Sequence, residues 1–180
     1  MAESQTRAPV FEAQAEISID ATPAEVYAAV SDLPRSGEWS SECTGGEWIE
    51  GTPGTPGAVF RGHNVRGDDV VSWAPVVRGE WTTEAEVLTA VTGTEFSWGI
   101  RDSRGNTQPS VWSFGMSPEN GGCRLVHRFR MDTPTEGIRK ITADMDAGEH
   151  RQFLTDWGTK VAVDLRDTLR RIKVVIEETR

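Results

Sequence analysis

An apolar stripe through the last third of the chain constrains the fold more than any other feature. Leu154, Trp157, Val161, Leu165, Leu169, Ile172 and Ile176 recur at steps of three and four, the spacing that places side chains on one face of an α-helix. Fully buried, these side chains contribute roughly 10–20 kcal/mol gross, at about 1.5–3 kcal/mol each. A helix with so long a stripe needs a broad, concave partner. The strand-like segments that end near Asp132 can supply one. A curved sheet gripping a helix leaves space between them, so a cavity is where function is to be sought.

The upstream segments read as strands joined by short turns. Phe11, Ala13, Ala15, Ile17 and Ile19 alternate with polar residues, the period of a half-buried strand. Thr22-Pro23-Ala24-Glu25 then fits a helix start, with Thr22 as N-cap, Pro23 in the first turn and Glu25 in the reciprocal capping position. Pro34 and Gly37 break that helix, and a second short helix or turn carries Arg35 to Ser40. Strands follow over Cys43–Ile49, Ala58–Asn64, Trp81–Leu88, Phe96–Ile100, Val111–Met116 and Cys123–Asp132. The turns at Thr92-Gly93, Arg104-Gly105-Asn106 and Asn120-Gly121-Gly122 are of hairpin type. The order is one strand, two short helices, six strands and a long helix, which makes an antiparallel meander.

Composition narrows the function classes. The net charge of −9 repels phosphate backbones and anionic headgroups, so neither nucleic acid nor an anionic membrane surface is an expected partner. No apolar run reaches the roughly 20 residues that span a bilayer, so integral membrane association is not expected. Residues 1–10 are expected to form a disordered tail without a secretory signal, followed by a single domain over 11–180. Cys43 and Cys123 are expected as reduced thiols of a cytoplasmic protein.

Several chemistries lack their residues. The turn Gly51-Thr52-Pro53-Gly54-Thr55-Pro56-Gly57 is glycine-rich, but its two prolines have no N–H to donate and no Gly-Lys-Ser/Thr follows, so it is no phosphate loop. His63, His127 and His150 show no ligand spacing and the cysteines form no CxxC, so no metal is expected. No Gly-x-Ser-x-Gly or dinucleotide fingerprint occurs, and no cofactor is expected.

What remains is polar residues set among aromatic ones. Seven tryptophans stand against one tyrosine, and large aromatic surface serves cores and apolar pockets equally. Trp39, Trp81, Phe96, Trp98, Trp112 and Phe114 are wall candidates, with Phe129 on the last strand and Trp157 on the long helix. His127 shares a strand face with Leu125, Phe129 and Met131, where an imidazole could position a carbonyl or move a proton. On the third strand Arg61 and His63 share one parity, and Phe60, Gly62 and Asn64 the other. Both sets contain polar groups, so both stay candidates: Arg61 and Asn64 with His127 for chemistry, Phe60 and His63 for ligand contact.

Several segments together resemble a known architecture. They are Ile17–Tyr27, Asp32–Trp39, Gly57–Asn64, Trp112-Ser113-Phe114 before Gly121-Gly122-Cys123, and Leu169–Lys173. In these the chain resembles the helix-grip fold of the Bet v1/START-like (SRPBCC) superfamily, and more narrowly bacterial polyketide cyclase/dehydrase and lipid-transport proteins. The resemblance implies an α+β fold, with a curved seven-stranded antiparallel sheet wrapped around the C-terminal helix and two short helices between strands 1 and 2. It implies that Asn64 faces the cavity and that the first and last strands are neighbours. The residues agree on that last point, because Glu12 and Glu16 would then face Arg124, Arg128 and Arg130.

Three functions follow as expectations. The first is binding of a small hydrophobic or aromatic molecule of the polyketide, lipid or isoprenoid class. The second is a polyketide aromatase/cyclase that closes and dehydrates a reactive chain. The third is a non-catalytic interaction or stress-response module built on Val65–Gly79, which is longer than the turn that relatives have at this place. Trp73 beside Val70 and Val71 would suit a lid or a homodimer contact. A longer hairpin with Trp73 in a satellite core is the plain alternative.

Overall fold

Alternation over the first segment becomes β1 (Phe11–Ile19), whose exposed and covered residues alternate along its length. Helix α1 (Pro23–Val30) starts where its capping box is: Thr22 Oγ1 accepts from the Glu25 N–H at 3.3 Å, and the Thr22 N–H donates to Glu25 Oε2 at 2.7 Å. A 3₁₀ helix follows over Leu33–Glu38. Then come β2 (Cys43–Glu50), β3 (Val59–Arg66), β4 (Gly79–Val91), β5 (Glu95–Arg101), β6 (Thr107–Glu119) and β7 (Gly122–Met131). Two helices close the chain, α2 (Glu136–Thr142) and α3 (Ala147–Glu178). This computed structural model describes residues 8–179, so most of the tail expected over 1–10 lies outside the described residues.

The seven strands form one curved antiparallel sheet in the order β1-β7-β6-β5-β4-β3-β2, with α3 lying along its inner face. The helix-grip architecture and the pairing of first and last strands are therefore present. On the outer face of that pair Arg124 bonds Glu16, and Arg128 and Arg130 approach Glu12 at 3.9 and 4.0 Å. Strand β2 can close onto β3 because residue 46 is glycine: a Cβ there would stand 2.0 Å from the Arg61 carbonyl oxygen.

Three expectations need correction. Strands β4 and β6 run to 13 residues each, longer than the apolar alternation suggested. Helix α2 was not foreseen; its signal is Thr135, whose hydroxyl accepts from the Ile138 N–H. The stripe on α3 begins at Phe153, which is fully buried, while Leu154 is only half-buried. The long connection before β4, left open by the sequence between a lid or dimer contact and a satellite core, is folded down onto α3, with Trp73 47% exposed. Ala74 and Val76 are buried with Phe153, and Trp73 donates its Nε1–H to Asp156 Oδ2 at 2.9 Å. Arg78 holds the connection by donating to the carbonyls of Asp68, Val70, Val71, Ala74 and Val76.

Helix α3 anchors two separate apolar clusters. Its N-terminal half (Phe153, Val161, Leu165) packs with Phe129, Met131, Ile138, Ala74 and Val76. Its C-terminal half (Leu169, Ile172, Ile176) packs with α1, Ile19, Phe96, Phe114 and Leu125. Leu165 is fully buried, so Leu165→Ala is expected to lower the unfolding free energy by about 2–5 kcal/mol. Arg124→Ala, which removes a half-exposed ion pair, should cost less than about 1 kcal/mol. Urea denaturation of both variants checks the ranking.

Candidate functional site: an aromatic cavity beneath the long helix

A cavity of about 280 Å³ opens where one cluster gives way to the other, between the inner sheet face and α3 at Asp164–Thr168. It stays hollow because small groups meet there. Strands β3 and β4 offer Gly62, Thr83 and Ala85, and α3 offers Thr168 in place of a large apolar side chain.

The inner face of β3 carries Phe60, Gly62, Asn64 and Arg66, and the first three are buried. The other parity points out of the sheet. Arg61 donates to Glu84 at 3.0 Å, its direct partner on β4, and His63 Nε2 lies 3.0 Å from Glu47 on β2. Arg61 and His63 therefore do not reach the cavity, because each forms a cross-strand pair on the outer face.

Trp39, Phe60, Trp81, Trp98, Trp112 and Trp157 form the walls. Phe96, Phe114 and Phe129 share the inner faces of their strands but stand behind the walls rather than on the open space. Phe129 packs on Trp112 with ring centroids 4.2 Å apart, Phe114 stacks on the His127 imidazole at 4.2 Å, and Phe96 meets Tyr27 edge-on. Their contribution is to fix the orientation of the rings in front of them.

His127, Trp39 and Asn64 are among the polar residues that face this interior. His127 lines the cavity, is 4% exposed, and has no protein partner at Nδ1 or Nε2. Burial pushes its pKa from 6.5 down to about 3, so the ring is neutral near pH 7 and offers one N–H and one lone pair. Trp39 Nε1 is buried and also unpartnered. Asn64 spends its Nδ2 on Gly62 O, Trp81 O and Thr83 Oγ1 at 3.2, 3.5 and 3.1 Å. Cys43 lines the cavity as a free, half-buried thiol, and Cys123 is free and buried.

A charged cluster at one end of the cavity was missed in the sequence. Glu42 Oε1 accepts from Arg66 Nε and from Lys160 Nζ, both at 2.8 Å, and Glu42 Oε2 accepts from Arg66 Nη2 at 3.0 Å. Lys160 also bonds Asp164. The Arg66 guanidinium lies 4.3 Å from the Trp81 ring centroid and 5.2 Å from that of Trp157. Burial works to raise the Glu42 pKa, but the bonds and charges of Arg66 and Lys160 outweigh it and hold the carboxyl below its ordinary value. Arg66 had a legible signal, since it continues the parity of Phe60, Gly62 and Asn64. Glu42, Lys160 and Asp164 had none, because only the tertiary fold brings their segments together. Among the described residues, no group of three or more His, Cys, Asp or Glu side chains is placed to hold a metal, and no helix is long and apolar enough to cross a membrane.

A curved sheet closed over one long helix, with an aromatic hollow between them, defines a helix-grip protein. The chain belongs to the polyketide cyclase/dehydrase and lipid transport family, whose sequence profile matches residues 10–177. No curated protein matches it. Among solved structures it is similar to the Polyketide_cyc-like protein Cgl2372 from Corynebacterium glutamicum, with 29% identity, 93% of this chain and 94% of that one covered, and a TM-score of 0.57. It is also similar in fold to the di-domain ARO/CYC StfQ from the steffimycin biosynthetic pathway, with 12% identity, a TM-score of 0.67 and 97% of this chain covering 53% of that one. A third similar fold is Ara h 8.0201, with 13% identity, a TM-score of 0.56 and coverage of 93% and 98%.

The buried imidazole sets a pH dependence. Between pH 6.5 and about 3 the unfolded chain binds a proton that the folded chain excludes. Stability from this group is thus full above pH 6.5 and lost as pH falls toward 3, by roughly 1.4 kcal/mol per pH unit. His127→Phe keeps a stacked ring without the titration. Between about pH 7 and 5, wild type should lose roughly 2 kcal/mol more stability than this variant, as read by urea denaturation at the two pH values.

Proposed function

We propose that the protein binds a small, mainly apolar molecule, flat or elongated, of the polyketide, lipid or isoprenoid class, in the cavity beneath α3. The observation that carries this reading is the pairing of tryptophan walls with buried polar atoms that have no protein partner, namely both nitrogens of His127 and Nε1 of Trp39. Leaving such a group unsatisfied costs about 1–3 kcal/mol. A ligand carrying one carbonyl or hydroxyl relieves that cost as it fills the hollow. Burying about 300 Å² of apolar ligand surface contributes roughly 7 kcal/mol gross, which association costs reduce. Micromolar affinity corresponds to about 8 kcal/mol, so apolar walls and a few hydrogen bonds together suffice.

A second reading is an aromatase/cyclase, favoured by the same two donors. A neutral His127 and the Trp39 N–H can hydrogen-bond a ligand carbonyl in a desolvated site, where such bonds stabilise developing negative charge. An imidazole whose conjugate acid has a pKa near 3 is a weak base. His127 therefore acts here as a hydrogen-bonding and positioning group, and rate enhancement would come chiefly from holding the chain folded. On either reading Arg61 and His63 have no role in the cavity.

Titration of tryptophan fluorescence with a panel of hydrophobic aromatics should give saturable quenching. Thr168→Leu, which extends an apolar side chain into the cavity, should weaken that binding at least about tenfold while the protein stays folded. Unchanged affinity in this variant would place the ligand elsewhere. For the cyclase reading, His127→Ala is assayed for cyclised product, and unchanged turnover removes His127 from the mechanism.

A further inference from the structure

We infer that the charged end of the cavity is a carboxylate subsite, and that the ligand is an aromatic or polycyclic acid whose carboxylate takes the place now held by Glu42. This rests on the cavity reading and specifies its ligand.

The geometry of Glu42 is the template. A planar two-oxygen acceptor sits at the cavity end in a fork-to-fork pair with Arg66 Nε and Nη2, and one of its oxygens takes a third bond from Lys160. A ligand carboxylate presents the same two oxygens in one plane and satisfies the same three donors.

The donors are held independently of Glu42. Arg66 Nη1 donates to the Val77 carbonyl at 3.0 Å, and its guanidinium is kept by Trp81 and Trp157. Lys160 keeps Asp164 one turn along α3. Glu42, by contrast, stands just before β2 in the connection from the 3₁₀ helix, and its side chain is the more exposed of the pair, 25% against 9% for Arg66. A rotation about its side-chain bonds frees Arg66 Nε and Nη2 and Lys160 Nζ without unfolding an element.

Charge decides the ligand class. With Glu42 in place the four groups Glu42, Asp164, Arg66 and Lys160 sum to zero. With Glu42 turned outward they leave one net positive charge at the end of an apolar hollow. A monoanion restores neutrality, whereas a neutral ligand leaves Glu42 on Arg66 and gains nothing from either cation. The aromatic body then lies between the tryptophan walls.

The test uses two matched probes, 6-hydroxy-2-naphthoate and its neutral isostere 6-hydroxy-2-naphthamide, titrated calorimetrically into wild type, Glu42→Gln and Arg66→Lys. The acid should bind wild type at least about tenfold more tightly than the amide. Glu42→Gln removes the internal competitor, so it should tighten the acid about fivefold or more and change the amide less than about twofold. Arg66→Lys loses the planar fork and should bring the acid close to the amide. Thermal melting adds a readout that does not depend on Arg66→Lys folding well: the acid should raise the Tm of Glu42→Gln more than the amide does. Equal binding of both probes to wild type, with Glu42→Gln leaving their ratio unchanged, overturns the subsite and leaves the cavity reading standing. No binding of either probe to wild type or Glu42→Gln also overturns the subsite, while the cavity reading stands or falls by the fluorescence panel.

Discussion

The burial of α3 against the curved sheet is the contact on which the rest of the structure depends. Its stripe is divided between two clusters, with Phe153, Val161 and Leu165 on one side and Leu169, Ile172 and Ile176 on the other. Because both ends are anchored, the span between them need not be filled. Thr168 and Asp164 can stand over a void there, opposite Gly62, Thr83 and Ala85. A single continuous cluster of the same total area would have packed this space shut, since protein interiors do not hold voids without a cause of this kind.

Charge is sorted between the two faces of the sheet. The outer face carries cross-strand ladders, such as Arg61–Glu84 between β3 and β4 and Arg124–Glu16 between β7 and β1. These half-exposed pairs fix register more than they add stability. The inner face is nearly free of charge until Arg66, where β3 leaves the cover of the core. There a cation is kept by two indole rings and a bidentate carboxylate. Desolvation makes that cluster energetically consequential in a way the outer ladders are not.

Around His127 the cavity presents neutral hydrogen-bonding groups, and its charge is gathered at the end held by Arg66. The aromatic rings that enclose His127 also hold it uncharged, because they exclude the water that would solvate an imidazolium. The same enclosure makes each hydrogen bond formed there stronger than it would be in water. That enclosure leaves shape, ring faces and a few neutral polar atoms as what this part of the interior presents.

Much of the fold was legible because its signals are local. Steps of three and four residues marked α3, alternation marked β1 and β7, and the Thr22–Glu25 box marked the start of α1. Even the β1–β7 pairing showed in the opposed signs of their polar faces. Helix α2 was less visible, because seven residues with few apolar ones carry little periodicity. The site was only half legible. Alternation says which residues share a face but not which face is concave, so alternation alone left Asn64 and Arg61 level; the resemblance favoured Asn64, and the sheet's curvature puts it inside and Arg61 outside. Phe114 and Phe129 stood level with Trp98 and Trp112 for the same reason, since depth behind a wall leaves no mark in a sequence. The chain by itself determined the elements, their order and the supply of indole rings, all of which follow from short-range spacing. Only the tertiary structure decided that a hollow survives between two anchored clusters, and that Glu42, Arg66, Lys160 and Asp164 meet at its end, because both depend on volumes and distances summed over segments far apart in the chain.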